Sequence, residues 1–208
     1  MAKCAICNKR KGKRFCKSLG QWICAECCGE KRFKEIRCPS DCPYVLQAKE
    51  YSLEKIEELP PPWSEQKMWN LHLQMEYEVY AFLGENPDLT DADYLDALSV
   101  LDKEFEIRVK GLFSPPLMPK SPRALKLKNR LVEVFNKVLE INNEFGFPLY
   151  SYDDIRKVVS WEKDRILRYQ ENNKNVGQAF FLQILKRYVE YFISTEEKKA
   201  SSLIYPKG

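Results

Sequence analysis

The chain has 208 residues, is 44% hydrophobic and 31% charged, and carries a formal net charge of +4, the composition of a folded protein and not of a disordered one. No apolar run approaches the roughly 20 residues of a membrane helix, and no apolar stretch follows the basic start at residues 1–14. These features predict a cytoplasmic protein without a membrane partner, long enough for a small module joined to a larger domain.

All eight cysteines lie between Cys4 and Cys42. In a reducing compartment such clustering points to metal, not to disulfides. The ligands run Cys4-Ala5-Ile6-Cys7, then Cys16, then Cys24-Ala25-Glu26-Cys27-Cys28, then Cys38-Pro39-Ser40-Asp41-Cys42. A CxxC pair turns two sulfurs onto one ion, and two pairs complete a tetrahedral zinc site with bonds of about 2.3 Å. Residues 13–17 and 21–24, joined by Ser18-Leu19-Gly20, read as a short β-hairpin with glycine in its turn. From Ala25 the chain reads as helix, where neighbouring Cys27 and Cys28 point about 100° apart and so suit two different ions. Cys4, Cys7, Cys24 and Cys27 are therefore assigned to a first zinc, and Cys16, Cys28, Cys38 and Cys42 to a second.

This knuckle, hairpin and helix order resembles treble-clef zinc fingers, and the interleaving of two sites resembles cross-brace modules such as the HIT, MYND and B-box fingers. The likeness covers residues 4–42 alone. It departs from those families in lacking a histidine ligand and in the tandem Cys27-Cys28, so it implies a fold and a cofactor (two Zn²⁺ per chain) but no specific partner. Eight cysteines for two zincs leave no position open for a catalytic water. A segment of roughly 40 residues cannot bury enough apolar surface to fold unaided, whereas structural zinc supplies about 10–16 kcal/mol per site. The closely repeated cysteine spacing of iron–sulfur proteins is absent.

Residues 1–43 hold eleven Lys and Arg against four acids, and the rest of the chain has an acidic surplus of three. Two zincs on eight thiolates would cancel four of the module's seven excess positive charges, leaving some bases to neutralise sulfur. The stretch Lys9, Arg10, Lys11, Lys13 and Arg14 remains a dense positive patch, a candidate nucleic-acid contact. Phe15 and Trp22 nearby are expected in the module's small hydrophobic core more than on a base-stacking face.

Beyond residue 43 the pattern is helical, predicting a mainly α chain: a two-zinc module over 1–43, then a bundle of about six helices over 44–208. Tyr44-Val45-Leu46 follow Cys42 with no flexible linker. The first helix is expected over 43–58, ending at Pro60-Pro61-Pro62, and the second over 63–83 with Met68, Leu71, Met75, Val79, Phe82 and Leu83 as its stripe. Thr90 with Asp91 and Asp93 caps a third to Gly111. Residues 112–122 hold four prolines and form a loop. Pro122 opens a fourth helix expected to reach Phe145 and stop at Gly146. A capping box at Ser151 starts a fifth to Tyr169. A turn at 172–175 and a sixth helix over 176–193 follow, and 194–208 read as a loose tail ending in Leu203-Ile204-Tyr205.

No nucleophile, phosphate loop or dinucleotide fingerprint is present. His72, the one histidine, falls on an apolar stripe as a core or boundary residue. Asp91/Asp93, Asp153/Asp154 and Glu57/Glu58 sit where caps or solvated faces belong. Lys126, Arg130, Lys137, Arg156, Lys163 and Arg165 are mixed with acids as solvated surface. The sequence reads as a non-enzymatic binding protein with a protein partner, or alternatively nucleic acid; an enzyme would need a polar pocket with carboxylates around His72.

Overall fold

Three residues decide the shape of the cysteine region. Gly20 takes φ +63°, closing the turn in which the Leu19 and Gly20 amides donate to the Cys16 carbonyl. The antiparallel strands β1 (Arg14–Cys16) and β2 (Gln21–Ile23) pair Arg14 with Ile23, Phe15 with Trp22 and Cys16 with Gln21. Gly12 lets the preceding loop lie on β2, since a Cβ there would come within 2.9 Å of the Trp22 Cβ. Cys24 then N-caps α1 (Ala25–Lys31).

The computed structural model describes all residues except 1, 40, 55–61, 114, 173–177 and 205–208, and the side chains of 49, 52–54 and 195–204 also lie outside it. The chain is mainly helical, as expected. After α1 come α2 (Pro43–Glu54), α3 (Gln66–Glu85), α4 (Asp91–Val109), α5 (Pro122–Leu139), α6 (Tyr152–Asn172) and α7 (Phe180–Ile204). It divides into two compact units, residues 1–58 with 170–180, and residues 59–169 with 181–208. The expected end of the first helix, with Glu57 and Glu58, falls outside the described residues, as does Tyr205. No helix among the described residues is long and apolar enough to cross a membrane.

In the second unit, Leu71, Met75, Val79, Leu98, Leu101, Leu127, Leu131, Phe135, Ile155, Val158 and Ile166 are fully buried. α3 and α6 run parallel: Lys67 meets Asp154, His72 meets Glu162 and Glu76 meets Arg165. α4 and α5 also run parallel, with Asp93 on Arg123 and Phe105 on Phe135. Parallel neighbours need a return path, and the proline-rich segment supplies it. There the Leu117 amide donates to Glu104, the Lys120 amide to Asp96, and Lys128 Nζ donates to both Glu104 (2.6 Å) and the Leu117 carbonyl (2.7 Å).

Three of the helix starts read from the sequence are capped by side chains, two of them reciprocally. Thr90 and Asp93 form a capping box, Ser151 and Asp154 exchange the same bonds, and Ser121 accepts from Arg123 and Ala124. Two helix ends differ from expectation. α5 stops at Leu139, six residues before Phe145, because the Asn143 carboxamide accepts from the Phe145 and Phe147 amides and bends the chain. α7 continues to Ile204 through the segment read as a tail.

Asp91 sits at the start of α4 yet serves α7: its carboxylate oxygens accept from the Phe181 amide (2.9 Å) and the Leu182 amide (3.0 Å). Removing it orphans two buried donors, so Asp91→Ala is expected to cost about 1–3 kcal/mol in a urea-unfolding midpoint, with Asp91→Asn recovering part of that loss.

Candidate metal centre

Cys4 and Cys7 occupy a tight turn. The Cys4 amide donates to the Arg10 carbonyl at 2.7 Å, and the Asn8 amide donates back to the Cys4 carbonyl at 2.9 Å with Asn8 at φ +53°. Across from this turn, the Cys24 sulfur accepts from the Cys27 amide at 3.4 Å as the N-cap of α1. One turn and one helix start thus bring the sulfurs of Cys4, Cys7, Cys24 and Cys27 within 4.8 Å of one another, with Cys7 and Cys24 4.0 Å apart. A zinc tetrahedron with bonds of about 2.3 Å has edges of about 3.8 Å, so the donor set fits one such ion.

Burial raises the Cys4 thiol, but the Cys7, Cys24 and Ile6 amides outweigh it and hold it at about 6. Cys7 is lowered by the Arg10 and Lys9 amides. Cys27 is pushed up to about 12 by its contact with the Cys24 sulfur and then by burial. Sulfurs this close cannot all be anions on their own, and a divalent cation between them accepts all four as thiolates.

The other four cysteines, expected to hold a second zinc, are not drawn together in this way: no three of their sulfurs lie within 4.8 Å of one another. Cys16 at the end of β1, Cys28 on α1, and Cys38 and Cys42 ahead of α2 line one cavity of about 10 Å³, the space of roughly one water molecule. The Arg32 guanidinium, itself buried, donates to the Cys28 sulfur at 3.8 Å. Burial pushes the Cys38 thiol up against the lowering effect of the Phe33 amide, and the Cys42 and Cys16 sulfurs add to the rise. Adjacent Cys27 and Cys28 therefore serve two separate spaces.

Around these sulfurs the basic stretch divides. Lys9, Lys11 and Lys13 are exposed. Arg10 is paired with Glu26 at 2.5 Å, and its charge is held by a hydrogen bond to the Cys24 sulfur and by Glu26. Arg14 lies over the Tyr44 ring at 4.8 Å. The expectation that Phe15 and Trp22 fill the module's core is overturned: they are 44% and 49% exposed and pack edge to face on the outer side of the hairpin. Ile23 and Ile36 form the core with the cysteines instead. Strand periodicity explains this, because Cys16 and Ile23 point to the sulfurs and their neighbours Phe15 and Trp22 must point away.

The second unit holds a constellation that sequence reasoning missed. His72, Glu76 and Glu162 are all but fully buried, and their donor atoms fall within 4.8 Å of one another. Arg165, expected on the solvated surface, is only 8% exposed. Its NH1 donates to Glu76 at 2.9 Å and to Glu162 at 3.1 Å, filling the space that a cation would take among these donors. Tyr94 donates to Glu162 at 3.3 Å. Burial lowers the affinity of His72 for its proton, yet the Glu76 and Glu162 carboxylates outweigh it and raise the imidazole to about 9. The clue was present as His72/Glu76 and Glu162/Arg165 at helical spacing on otherwise apolar stripes. Of the other bases read as surface, Arg130 pairs with Glu78 and Glu85, Arg156 and Lys163 pair with Asp102, and Lys126 and Lys137 are exposed.

No protein-family model, curated protein sequence or solved structure matches the chain. The likeness to zinc fingers extends as far as the cysteine order and the hairpin-then-helix geometry.

Proposed function

We propose that this is a non-enzymatic zinc-binding interaction protein, in which two zinc ions fold residues 4–42 and the finger so formed docks a protein partner. The four-sulfur set Cys4, Cys7, Cys24 and Cys27 carries the reading: it supplies every ligand a tetrahedral zinc needs and leaves none for water or substrate. Cys16, Cys28, Cys38 and Cys42 are assigned to the second zinc on their shared cavity, with Arg32 offsetting thiolate charge. Once metal holds the hairpin, its exposed Trp22 and Phe15 become rigid aromatic anchors of the kind that dominate protein interfaces. The enzyme reading is disfavoured because the carboxylates around His72 are sealed from solvent and already bonded to Arg165.

A second reading draws on the same outward aromatics. Exposed rings beside Lys9, Lys11 and Lys13 could stack on unpaired bases while the lysines meet phosphates. The two readings separate cleanly. With a protein partner in hand, Trp22→Ala should weaken binding at least tenfold at unchanged zinc content, and raising salt from 50 to 500 mM should matter little. Charge reversal at Lys9, Lys11 and Lys13 spares the contacts that Arg10 and Arg14 make within the module. If that triple variant abolishes binding to single-stranded oligonucleotides, and wild-type affinity for them falls steeply with salt, nucleic acid is the partner.

A further inference from the structure

We propose that the cleft between the start of α3 and the middle of α6 recognises a cationic side chain, a lysine or arginine carried by a basic peptide. The cleft measures about 570 Å³, within the range of roughly 300–1,000 Å³ typical of ligand sites. It lies wholly in the helical unit and does not depend on the zinc reading.

Two walls are aromatic. Trp63 and Trp161 meet edge to face with ring centroids 5.2 Å apart, forming a corner of electron-rich indole surface. Such faces attract ammonium and guanidinium groups, tryptophan most strongly. The chain already uses Trp161 this way, since the Arg165 guanidinium stands 5.1 Å from its ring centroid. Of the charged residues that line the cleft three are acids, Glu65, Asp154 and Asp164, and one is a base, Lys157.

The local balance favours a visiting cation. Lys157 is already paired with Asp153 at 2.7 Å. Asp154 is engaged with Ser151 and Lys67, and Glu65 stands a distant 3.8 Å from Lys67. Asp164 is exposed, has no ion pair among the described residues, and sits three positions from Trp161 on the same helix. A ring face and an uncommitted carboxylate one helical turn apart are the two contacts an ammonium group needs. An anion would meet three carboxylates, and a neutral apolar ligand would have to desolvate them without repayment.

The test uses the full zinc-loaded chain and follows the indole N–H resonances of Trp63 and Trp161 by NMR. The probes are an end-blocked Gly-Gly-Lys-Gly-Gly peptide, its ε-acetylated counterpart and choline. Saturable shifts with the lysine peptide, at least tenfold weaker with the acetylated one, are expected. Asp164→Lys should weaken peptide binding at least tenfold while leaving the thermal midpoint unchanged, since Asp164 is a surface residue. Binding of choline without binding of the peptide would assign the site to free amines and overturn the peptide proposal. Equal binding of both peptides, or no shift of either indole at millimolar peptide, would overturn the cation site itself.

Discussion

On the proposed zinc reading, chelation is expected to melt residues 2–42 while the helices of the second unit persist. The buried apolar side chains of the finger, apart from cysteine, are Ile23 and Ile36. Full burial of two isoleucines contributes about 1.5–3 kcal/mol each. That is far too little to offset the conformational entropy lost in ordering a segment of some 40 residues, and metal binding is the largest further contribution such a finger would have. The second unit has its own core of leucine, valine, isoleucine and phenylalanine, and needs no metal to hold it.

Cys24→Ser isolates the metal's share. Serine is among the best N-cap residues, so the capping of α1 survives the change and the thiolate alone is lost. The expected outcome is loss of one zinc by native mass spectrometry, with collapse of the amide resonances of Cys4, Cys7, Cys27 and the hairpin. A variant that loses its zinc yet keeps these resonances dispersed would falsify the structural role.

Much of this architecture could be read from residues with one physical meaning. CxxC spacing, Thr90 and Ser151 ahead of acids, Pro122 after Ser121 and a proline-rich break each specify a local geometry whatever surrounds them. The extent of α5 was misjudged because Ile141 and Phe145 continue the apolar period, whereas the side chain of Asn143 between them offers the backbone a competing turn. The length of α7 was misjudged for the opposite reason. Its Glu, Lys and Ala residues lack an apolar stripe but are good helix formers, and no breaker intervenes before Pro206. The exposure of Phe15 and Trp22 was legible from strand alternation once Cys16 and Ile23 were placed inward. The parallel pairing of α3 with α6 was not. It alone brings His72 and Glu76 to Glu162 and Arg165, whose chain separation of about ninety residues leaves no mark in local pattern.

Arg165→Met is expected to be among the most damaging substitutions in the helical unit, lowering stability by about 3–5 kcal/mol, because it leaves Glu76 and Glu162 buried with His72 as their remaining cation. Replacing Glu76, Glu162 and Arg165 together by Leu, Leu and Met removes charge and counter-charge at once and should cost far less than the single change. Chemical denaturation of both variants decides the matter; an Arg165→Met within 1 kcal/mol of wild type would show that the network is not closed to water. The His72 proton gives a second, independent reading. Its folded value of about 9 stands above the ordinary value of about 6.5, so its stabilisation is complete below about pH 6.5 and is lost as pH rises through about 9. The stability difference between wild type and His72→Gln should therefore shrink across that window. If it instead grew with pH, the imidazole would be buried neutral and the carboxylates balanced by Arg165 alone. Because the Arg165 NH1 lies among the three donors where a cation would sit, Arg165→Ala should also gain stability from added Mn²⁺ where wild type does not, which ties the arginine's role to its charge and its place and not to its bulk.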